Sequence, residues 1–262
     1  MAGTPWLEIA GQTVFLESIP SILERGQLLL PLIRRLLIES CISGIEISED
    51  QQLAFQRKFL EQNGIKSDED LRSWLAKNKL TEDQASRNIL ESLQLDTYKR
   101  KEYGSSVEKV FLETKDRRDR VVYSLLRVES QSVASELYLR LQEGDSTFTD
   151  LCQRYSVGNE RDTGGLIGPV ALGRLHPNLA ELLRLSNPGQ LWQPLEIDGN
   201  WVVVRLDKKL PAQLDESLEL QILDECFEAW VSTQLSQFMQ AYSSLNDSSQ
   251  GDSGPAMTSA SH

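Results

Sequence analysis

The sequence has few of the residues that mark metal proteins and disulfide-rich proteins. Its three cysteines, Cys41, Cys152 and Cys226, are odd in number and widely spaced. Such a set suits neither a disulfide framework nor a zinc site. Only two histidines are present, His176 and His262. We therefore expect no metal, no cofactor and a reduced, cytoplasmic protein.

Long apolar runs and an excess of positive charge are also missing. The longest apolar run, residues 28–33, is broken by Pro31 and is far shorter than the roughly 20 residues that a membrane span requires. The N-terminus lacks a basic segment followed by an apolar one, so we expect no secretory signal. A net charge of −12 with a pI near 4.8 argues against binding to nucleic acid or to anionic membranes.

The first hundred residues predict a mostly helical domain. Residues 1–17 are expected to be an extended lead-in, and the strongly apolar residues 28–38 a buried helix. Three later helices begin at recognisable N-caps, in which Ser48 pairs with Gln51, Ser67 with Asp70 and Thr81 with Gln84. We assign residues 1–106 to this helical domain.

Residues 107–209 predict a smaller module that contains strands. Residues 107–112 and 120–128 are rich in Val, Leu and Tyr, as strands are. Apolar residues at helical spacing follow, Pro177 suits the first turn of a further helix, and Asp198-Gly199 is a hairpin turn. The expected order is β-α-α-α-β-β.

A long amphipathic helix, from about Glu216 to Leu245, follows the module. Because its apolar face needs a partner, we expect residues 210–245 to pack on the N-terminal helices. The fold class is therefore α+β, a helical bundle with the module inserted into it. Residues 246–262, rich in Ser, Gly and Asp, should form a disordered tail.

The order of features between Asp145 and Lys209 resembles the parvulin-type (PpiC, or rotamase) peptidyl-prolyl cis-trans isomerases. An amphipathic helix ends in Tyr155-Ser156, a glycine motif follows at residues 164–168, and a hairpin strand begins at Trp201. The N-terminal helices are similar to the corresponding domain of SurA-type chaperones. This resemblance implies an isomerase module of residues 107–209, with proline-containing peptides or unfolded protein segments as partners.

The resemblance also shows where this chain departs from its family. The two family histidines fall at Leu125 and Val202, the acidic or thiol position falls near Gly158, and the family aspartate falls at Leu166. The scaffold glycines are kept, whereas the polar network is replaced by hydrocarbon. No catalytic residue can therefore be carried over.

Carried over by position, the substrate-binding set is Ser124, Leu166, Leu175, His176, Leu179 and Trp201. Leu175 and Leu179 either grip the proline ring or simply fill the core. His176 either donates a hydrogen bond at the pocket rim or caps the helix that Pro177 begins. Trp201 either stacks on a proline or covers a helix. Cys152 is expected to be a buried thiol and not a nucleophile.

Three functions remain open from the sequence. The first is a peptidyl-prolyl isomerase with chaperone-like peptide binding. The second is a catalytically silent module that binds and escorts a peptide or protein for maturation or export. The third is a structural adaptor that dimerises through its last helix. The oligomeric state is not predicted.

Overall fold

The computed structural model describes the backbone of residues 3–250 and the side chains up to residue 244. These residues fall into two compact units. The first, the helical unit, contains the chain up to Ser105 and the chain from Leu220 onward. The second, the sheet module, runs from Ser106 to Glu219.

The helical unit begins with a β-hairpin instead of the expected extended lead-in. Its elements are β1 (Pro5–Ile9), β2 (Gln12–Phe15), α1 (Ile19–Arg25), α2 (Leu29–Ile42), α3 (Glu49–Gln62), α4 (Asp68–Asn78) and α5 (Glu82–Tyr103). All three predicted N-caps are confirmed: the side chains of Ser48, Ser67 and Thr81 accept hydrogen bonds from the backbone three residues later. These bonds satisfy amide groups that the first helical turn cannot pair internally.

The last helix, α10 (Glu216–Gln250), packs against the N-terminal helices, as predicted. The Arg34 guanidinium donates to both carboxylate oxygens of Glu228, at 2.8 and 2.6 Å. Lys99 Nζ donates to Asp224 Oδ1 at 2.6 Å. The apolar face of α10 supplies the buried residues Ile222, Leu223, Phe227 and Val231. The predicted bundle of N-terminal helices with a C-terminal helix is confirmed.

The prediction of a buried helix at residues 28–38 is wrong. The helix α2 forms, but its leucines Leu30, Leu32 and Leu36 are exposed and Ile42 is its buried residue. A helix that is apolar all round is buried only if neighbours cover every side. Helix α2 lies along α5, to which Arg35 is joined by an ion pair with Glu91 at 2.8 Å.

The sheet module contains four strands and four helices. In chain order these are α6 (Val107–Arg118), β3 (Arg120–Val128), α7 (Gln131–Glu143), α8 (Phe148–Tyr155), β4 (Leu166–Ala171), α9 (Pro177–Leu185), β5 (Leu191–Ile197) and β6 (Asn200–Leu210). The strand order is β4-β3-β6-β5 and every neighbouring pair is antiparallel. The predicted Asp198-Gly199 turn joins β5 to β6, with positive φ at both residues.

Two apolar clusters fill the two faces of this sheet. Helix α9 covers one face, and its cluster contains Val121, Tyr123, Leu125, Leu172, Leu179, Leu183, Val202, Val204 and Leu206. Helices α7 and α8 cover the other face, with Leu126, Val128, Ala134, Leu137, Phe148, Leu151, Cys152 and Val203. Because alternate residues of a strand point to opposite faces, each position of β3 and β6 is assigned to one cluster.

Two local predictions in the module need correction. Residues 107–112 were expected to be a strand but form the start of α6. Val107 and Phe111 are buried while Leu112 is 64% exposed, which is the i, i+4 spacing of a helix and not the alternation of a strand. Strand β4 was missed, because Gly168 and Pro169 in its middle obscure its strand pattern.

At the C-terminus, α10 continues to Gln250, beyond the predicted end at Leu245. The rest of the predicted tail, residues 251–262, lies outside the described residues. Among the helices of the described chain, none combines the length and the apolar character needed to cross a membrane.

Candidate functional site

The two positions that correspond to the family histidines lie at the centre of the sheet face that α9 covers. Leu125 is 3% exposed and Val202 is 1% exposed, and both belong to the α9 cluster. Leu179, from the first turns of α9, belongs to the same cluster, and the half-buried Leu175 packs against it. The structure therefore brings four of the predicted residues together in one apolar surface.

The beginning of α9 is fixed by His176. The backbone N–H of Asn178 donates a hydrogen bond to His176 Nδ1 at 3.3 Å. Pro177 occupies the first turn of α9, where the backbone N–H that proline lacks would have no partner within the helix. The capping interpretation of His176 is confirmed. Its other ring nitrogen, Nε2, lies 3.9 Å from Asp198 Oδ1, which is too far for a hydrogen bond.

Three of the predicted substrate contacts lie on the opposite face of the sheet. Trp201 packs against the α7/α8 cluster, as the sheet-covering interpretation expects, and so lies on the face opposite to Leu175 and Leu179. Ser124 pairs in register with the exposed Leu166, and directly paired residues point to the same face.

On that opposite face, Ser124 belongs to a hydrogen-bonded group of polar side chains. Its hydroxyl donates to Asp207 Oδ2 at 2.7 Å, and the same carboxylate accepts from Arg205 Nε at 2.8 Å. The Arg205 guanidinium lies over the Phe148 ring, 5.4 Å from its centroid. Because these polar groups satisfy one another away from Leu175 and Leu179, Ser124 is not placed to touch a proline there.

A buried carboxylate lies beside the apolar surface, at a place where the sequence suggested none. Glu160 is 8% exposed, and its Oε1 accepts a hydrogen bond from Ser156 Oγ at 2.6 Å. A Cβ atom placed on Gly158 would lie 2.2 and 2.5 Å from the two carboxylate oxygens of Glu160. The Glu160 carboxylate thus fills the space that a side chain at position 158 would take.

The Arg127 side chain lies close to the Glu160 carboxylate. Arg127 pairs in register with Val202 on β6, so its side chain starts on the α9 face. Arg127 Nε lies 3.8 Å from Glu160 Oε1, is buried, and has no hydrogen-bond partner among the described residues. Ser156 fixes the local backbone, since its Oγ accepts from the Arg127 N–H at 3.1 Å.

The charges of Arg127 and Glu160 affect a titratable group on the α9 face, the Tyr123 phenol. Burial raises the pKa of the Tyr123 phenol, and the charges of Arg127 and Glu160 act on it with opposite signs. Tyr123 belongs to the same cluster as Leu125 and Val202. The ion pair is therefore electrostatically linked to the apolar surface.

Cys152 and the glycine motif pack against the backbone of Glu160 and Leu125. Cys152 is fully buried, its Sγ lies 3.5 Å from the Glu160 carbonyl oxygen, and burial raises its pKa. It is the inert thiol that the sequence predicts. Gly165 adopts a φ of 89°, and a Cβ there would lie 2.8 Å from the Leu125 carbonyl oxygen, so the close approach of this loop to β3 requires glycine.

A separate cavity of about 260 Å³ lies between α6 and α9. Leu172, Leu175 and Ala180 line its apolar part, and Arg117 and Glu181 are among the charged residues at it. It does not include Leu125, Val202 or Leu179. In the part of the chain that the structure describes, no cluster of three or more His, Cys, Asp or Glu side chains could hold a metal ion.

Sequence reasoning missed Arg127 and Glu160. The sequence feature that could have indicated Glu160 is its position two residues after Gly158. Because glycine has no side chain, the space beside it is open to the Glu160 carboxylate. Only the register of β3 against β6 shows that Arg127 shares a face with Val202.

Comparison with known proteins identifies the module. Residues 110–208 match the family described as Rotamase, the PPIC-type PPIASE domain. No curated protein matches the chain significantly.

Among solved structures, the foldase protein PrsA of Streptococcus pneumoniae has 13% identity and a TM-score of 0.45, covering 92% of this chain and 94% of that one. Peptidylprolyl isomerase PrsA of Bacillus anthracis has 16% identity and a TM-score of 0.42, covering 81% and 97%. A SurA-like chaperone of Campylobacter jejuni has 14% identity and a TM-score of 0.36, covering 98% and 100%. The family match, in contrast, is confined to the sheet module. The chain therefore carries, in residues 110–208, a rotamase-family domain of the PPIC type.

Proposed function

We propose that this protein is a peptidyl-prolyl cis-trans isomerase of parvulin type whose helical unit holds proline-containing or unfolded protein segments. The observation that carries the proposal is the apolar surface on the α9 face of a rotamase-family module. Half-buried Leu175 and Ile167 border this surface, and Leu125, Leu179 and Val202 form its floor.

An apolar surface can accelerate this reaction without a nucleophile. The barrier to rotation about a peptide bond, about 18–20 kcal/mol, arises because the twisted amide loses its resonance. The planar ground state is the more polar one, so removing water from the bond favours the twisted state. A surface that grips the proline ring and holds the flanking backbone would bind that twisted state preferentially.

The exposed apolar side chains of the helical unit support a peptide-holding role. They cluster in sequence near the N-terminus, in the β-hairpin and in the helices that follow it: Trp6, Leu7, Ile9, Phe15, Leu16, Ile22, Leu28, Leu30, Leu32 and Leu36. The hairpin has only two strands, and both are almost entirely exposed. A two-stranded sheet of this kind gains little stability by itself and offers free edges to an extended peptide.

One observation favours a second function, peptide binding without catalysis. Leu125 and Val202 bring only hydrocarbon to the centre of the surface, so these two positions offer no hydrogen bond to a twisted amide. Such a module would still bind a proline side chain and escort the protein that contains this proline.

The two functions are separated by NMR exchange spectroscopy on short X-Pro peptides, together with a titration of the labelled protein by the same peptides. The uncatalysed exchange takes tens to hundreds of seconds, so catalysis is easily seen. The isomerase predicts enhanced exchange. The silent binder predicts saturable shifts at the α9 face with no change in exchange rate.

A matched pair of variants locates the site. Leu175→Gln places a polar group on the half-buried border of the surface and should lower the exchange enhancement roughly tenfold, since burial of a leucine side chain contributes about 1.5–3 kcal/mol. Leu185→Gln changes the same residue type at the last position of α9, where the side chain is 61% exposed, and should have no effect. Equal activity in both variants would exclude the α9 face as the site.

The remaining partner and location assignments stay predictions. They are a cytoplasmic location and the absence of nucleic-acid binding. Cys41 and Cys152 are free thiols in the structure, a state that a reducing compartment preserves.

A further inference from the structure

Arg127 and Glu160 bring two charged groups beside the apolar surface, and their arrangement is incomplete as a purely structural ion pair. At 3.8 Å, Arg127 Nε and Glu160 Oε1 are too far apart for a hydrogen bond. The Glu160 oxygen is already bonded to Ser156 Oγ. Arg127 Nε is buried without a partner among the described residues. A buried donor left unpaired costs about 1–3 kcal/mol, so a partner supplied by a bound peptide would be favourable here.

The Glu160 carboxylate and the Arg127 backbone are held in place by separate hydrogen bonds. Glu160 is anchored at its carboxylate by Ser156 and at its backbone carbonyl, which accepts from the Gly165 N–H at 2.8 Å. Arg127 is anchored through its backbone: its N–H donates to Ser156 Oγ, and its carbonyl accepts from the Val157 N–H at 3.0 Å. The Arg127 side chain as a whole is 41% exposed, although its Nε is buried. A peptide on the α9 face can therefore reach the side chain.

The chemistry of prolyl rotation calls for a donor of this kind. In the planar amide the nitrogen lone pair is delocalised into the carbonyl group and accepts no hydrogen bond. When the bond twists, the lone pair returns to the nitrogen, which then becomes an acceptor. A cationic donor directed at that nitrogen binds the twisted state and not the planar one, which is the condition for catalysis.

We propose that Arg127 is a catalytic residue of this site, whose guanidinium donates a hydrogen bond to the prolyl nitrogen of the twisted bond, and that Glu160 is its positioning residue. The proposal rests on the proposed isomerase function and names the polar group that the apolar floor lacks. No covalent bond is made or broken. The carboxylate holds the charge of the guanidinium next to the surface, and the open Nε–Oε1 distance leaves its donors free for the substrate.

The test compares five proteins on one blocked peptide with a single Ala-Pro bond: wild type, Arg127→Met, Arg127→Lys, Glu160→Gln and Arg205→Met. Arg205 is the matched control, because it is also a half-buried strand arginine beside a carboxylate, with 38% exposure, but lies on the opposite face. Exchange rates give kcat/KM, and titration of the labelled protein gives peptide affinity.

We expect Arg127→Met to lower kcat/KM on the order of 100-fold, as loss of a transition-state donor does, with peptide affinity unchanged. Glu160→Gln, which keeps the shape and the Ser156 contact, should lower kcat more than it alters KM. Arg127→Lys should restore part of the rate because it restores the charge but not the planar fork. Arg205→Met should keep the wild-type rate.

The outcomes separate this inference from the function on which it rests. An inactive wild type contradicts the isomerase and the catalytic role of Arg127 together. An active wild type with an equally active Arg127→Met overturns only the role of Arg127. Equal losses in Arg127→Met and Arg205→Met would also overturn it, since they would reflect a general effect of removing a half-buried arginine.

Discussion

A methyl group added to Gly158 should displace the Glu160 carboxylate. Gly158 has φ −101° and ψ 174°, a conformation that alanine adopts without strain, so any cost of Gly158→Ala must come from contacts. The new Cβ would lie 2.2 and 2.5 Å from the two carboxylate oxygens. Because the glutamate side chain can rotate, it would move away and lose its bond to Ser156.

The expected cost follows from that lost bond. A hydrogen bond to a charged group contributes about 1.5–3 kcal/mol, so Gly158→Ala should lower the free energy of unfolding of the module by roughly this amount. In a Glu160→Ala background the three closest contacts of the new Cβ, all with the Glu160 carboxylate, are removed, and the same change should cost much less. Urea denaturation of the four proteins gives the coupling between the two positions directly.

Two results would refute this reasoning. If Gly158→Ala has the same effect with and without Glu160, the carboxylate does not occupy the space at position 158. If Gly158→Ala costs nothing in the wild-type background, the bond between Ser156 and Glu160 contributes no net stability.

Three further predictions concern the core, a thiol and the helical unit. Leu179→Ala should lower the free energy of unfolding by about 2–5 kcal/mol, as cavity creation in a core does, and chemical denaturation measures it. Cys152 should react with iodoacetamide far more slowly than half-buried Cys41, because burial both shields the thiol and raises its pKa, which lowers the thiolate fraction near neutral pH; mass spectrometry of labelled peptides measures the ratio. Trp6→Ser should weaken the suppression of client aggregation without loss of unfolding free energy, since Trp6 is 59% exposed, whereas Leu112→Ser, at another exposed apolar residue but in the sheet module, should leave suppression unchanged. Equal effects of the two serine substitutions would argue against a holding surface near the N-terminus.

Local sequence signals were sufficient where they depend on a few neighbouring residues. The capping motifs at Ser48, Ser67 and Thr81 placed three helix starts correctly because the cap bonds form within four residues. The hairpin turn at Asp198-Gly199 was equally local. The long amphipathic helix required a partner, and the architecture with the inserted module followed from that requirement.

The errors arise where burial is decided by distant parts of the chain. The apolar composition of α2 indicated a buried helix, but coverage by other elements determines burial, and Leu30 and Leu36 remain exposed. Val107 and Val110 favoured a strand by composition, whereas the buried pair Val107 and Phe111 shows helical spacing. Composition alone did not separate these two periods.

The candidate site was predicted in part. The family resemblance placed Leu125, Leu175, Leu179 and Val202 on one surface, and the register of the sheet does bring them together. It did not find Glu160, because the family position at Gly158 is empty and the carboxylate reaches that space from two residues further along the chain. Such a replacement is visible only in three dimensions.

The central claim is that the α9 face of the module catalyses prolyl isomerisation. Its most direct test is the exchange rate of a short X-Pro peptide with wild-type protein, Leu175→Gln and Leu185→Gln at substoichiometric concentration. The account predicts enhanced exchange with wild type and Leu185→Gln and a roughly tenfold smaller enhancement with Leu175→Gln. Exchange at the uncatalysed rate with folded wild-type protein would contradict the account and leave a module that binds peptides without isomerising them.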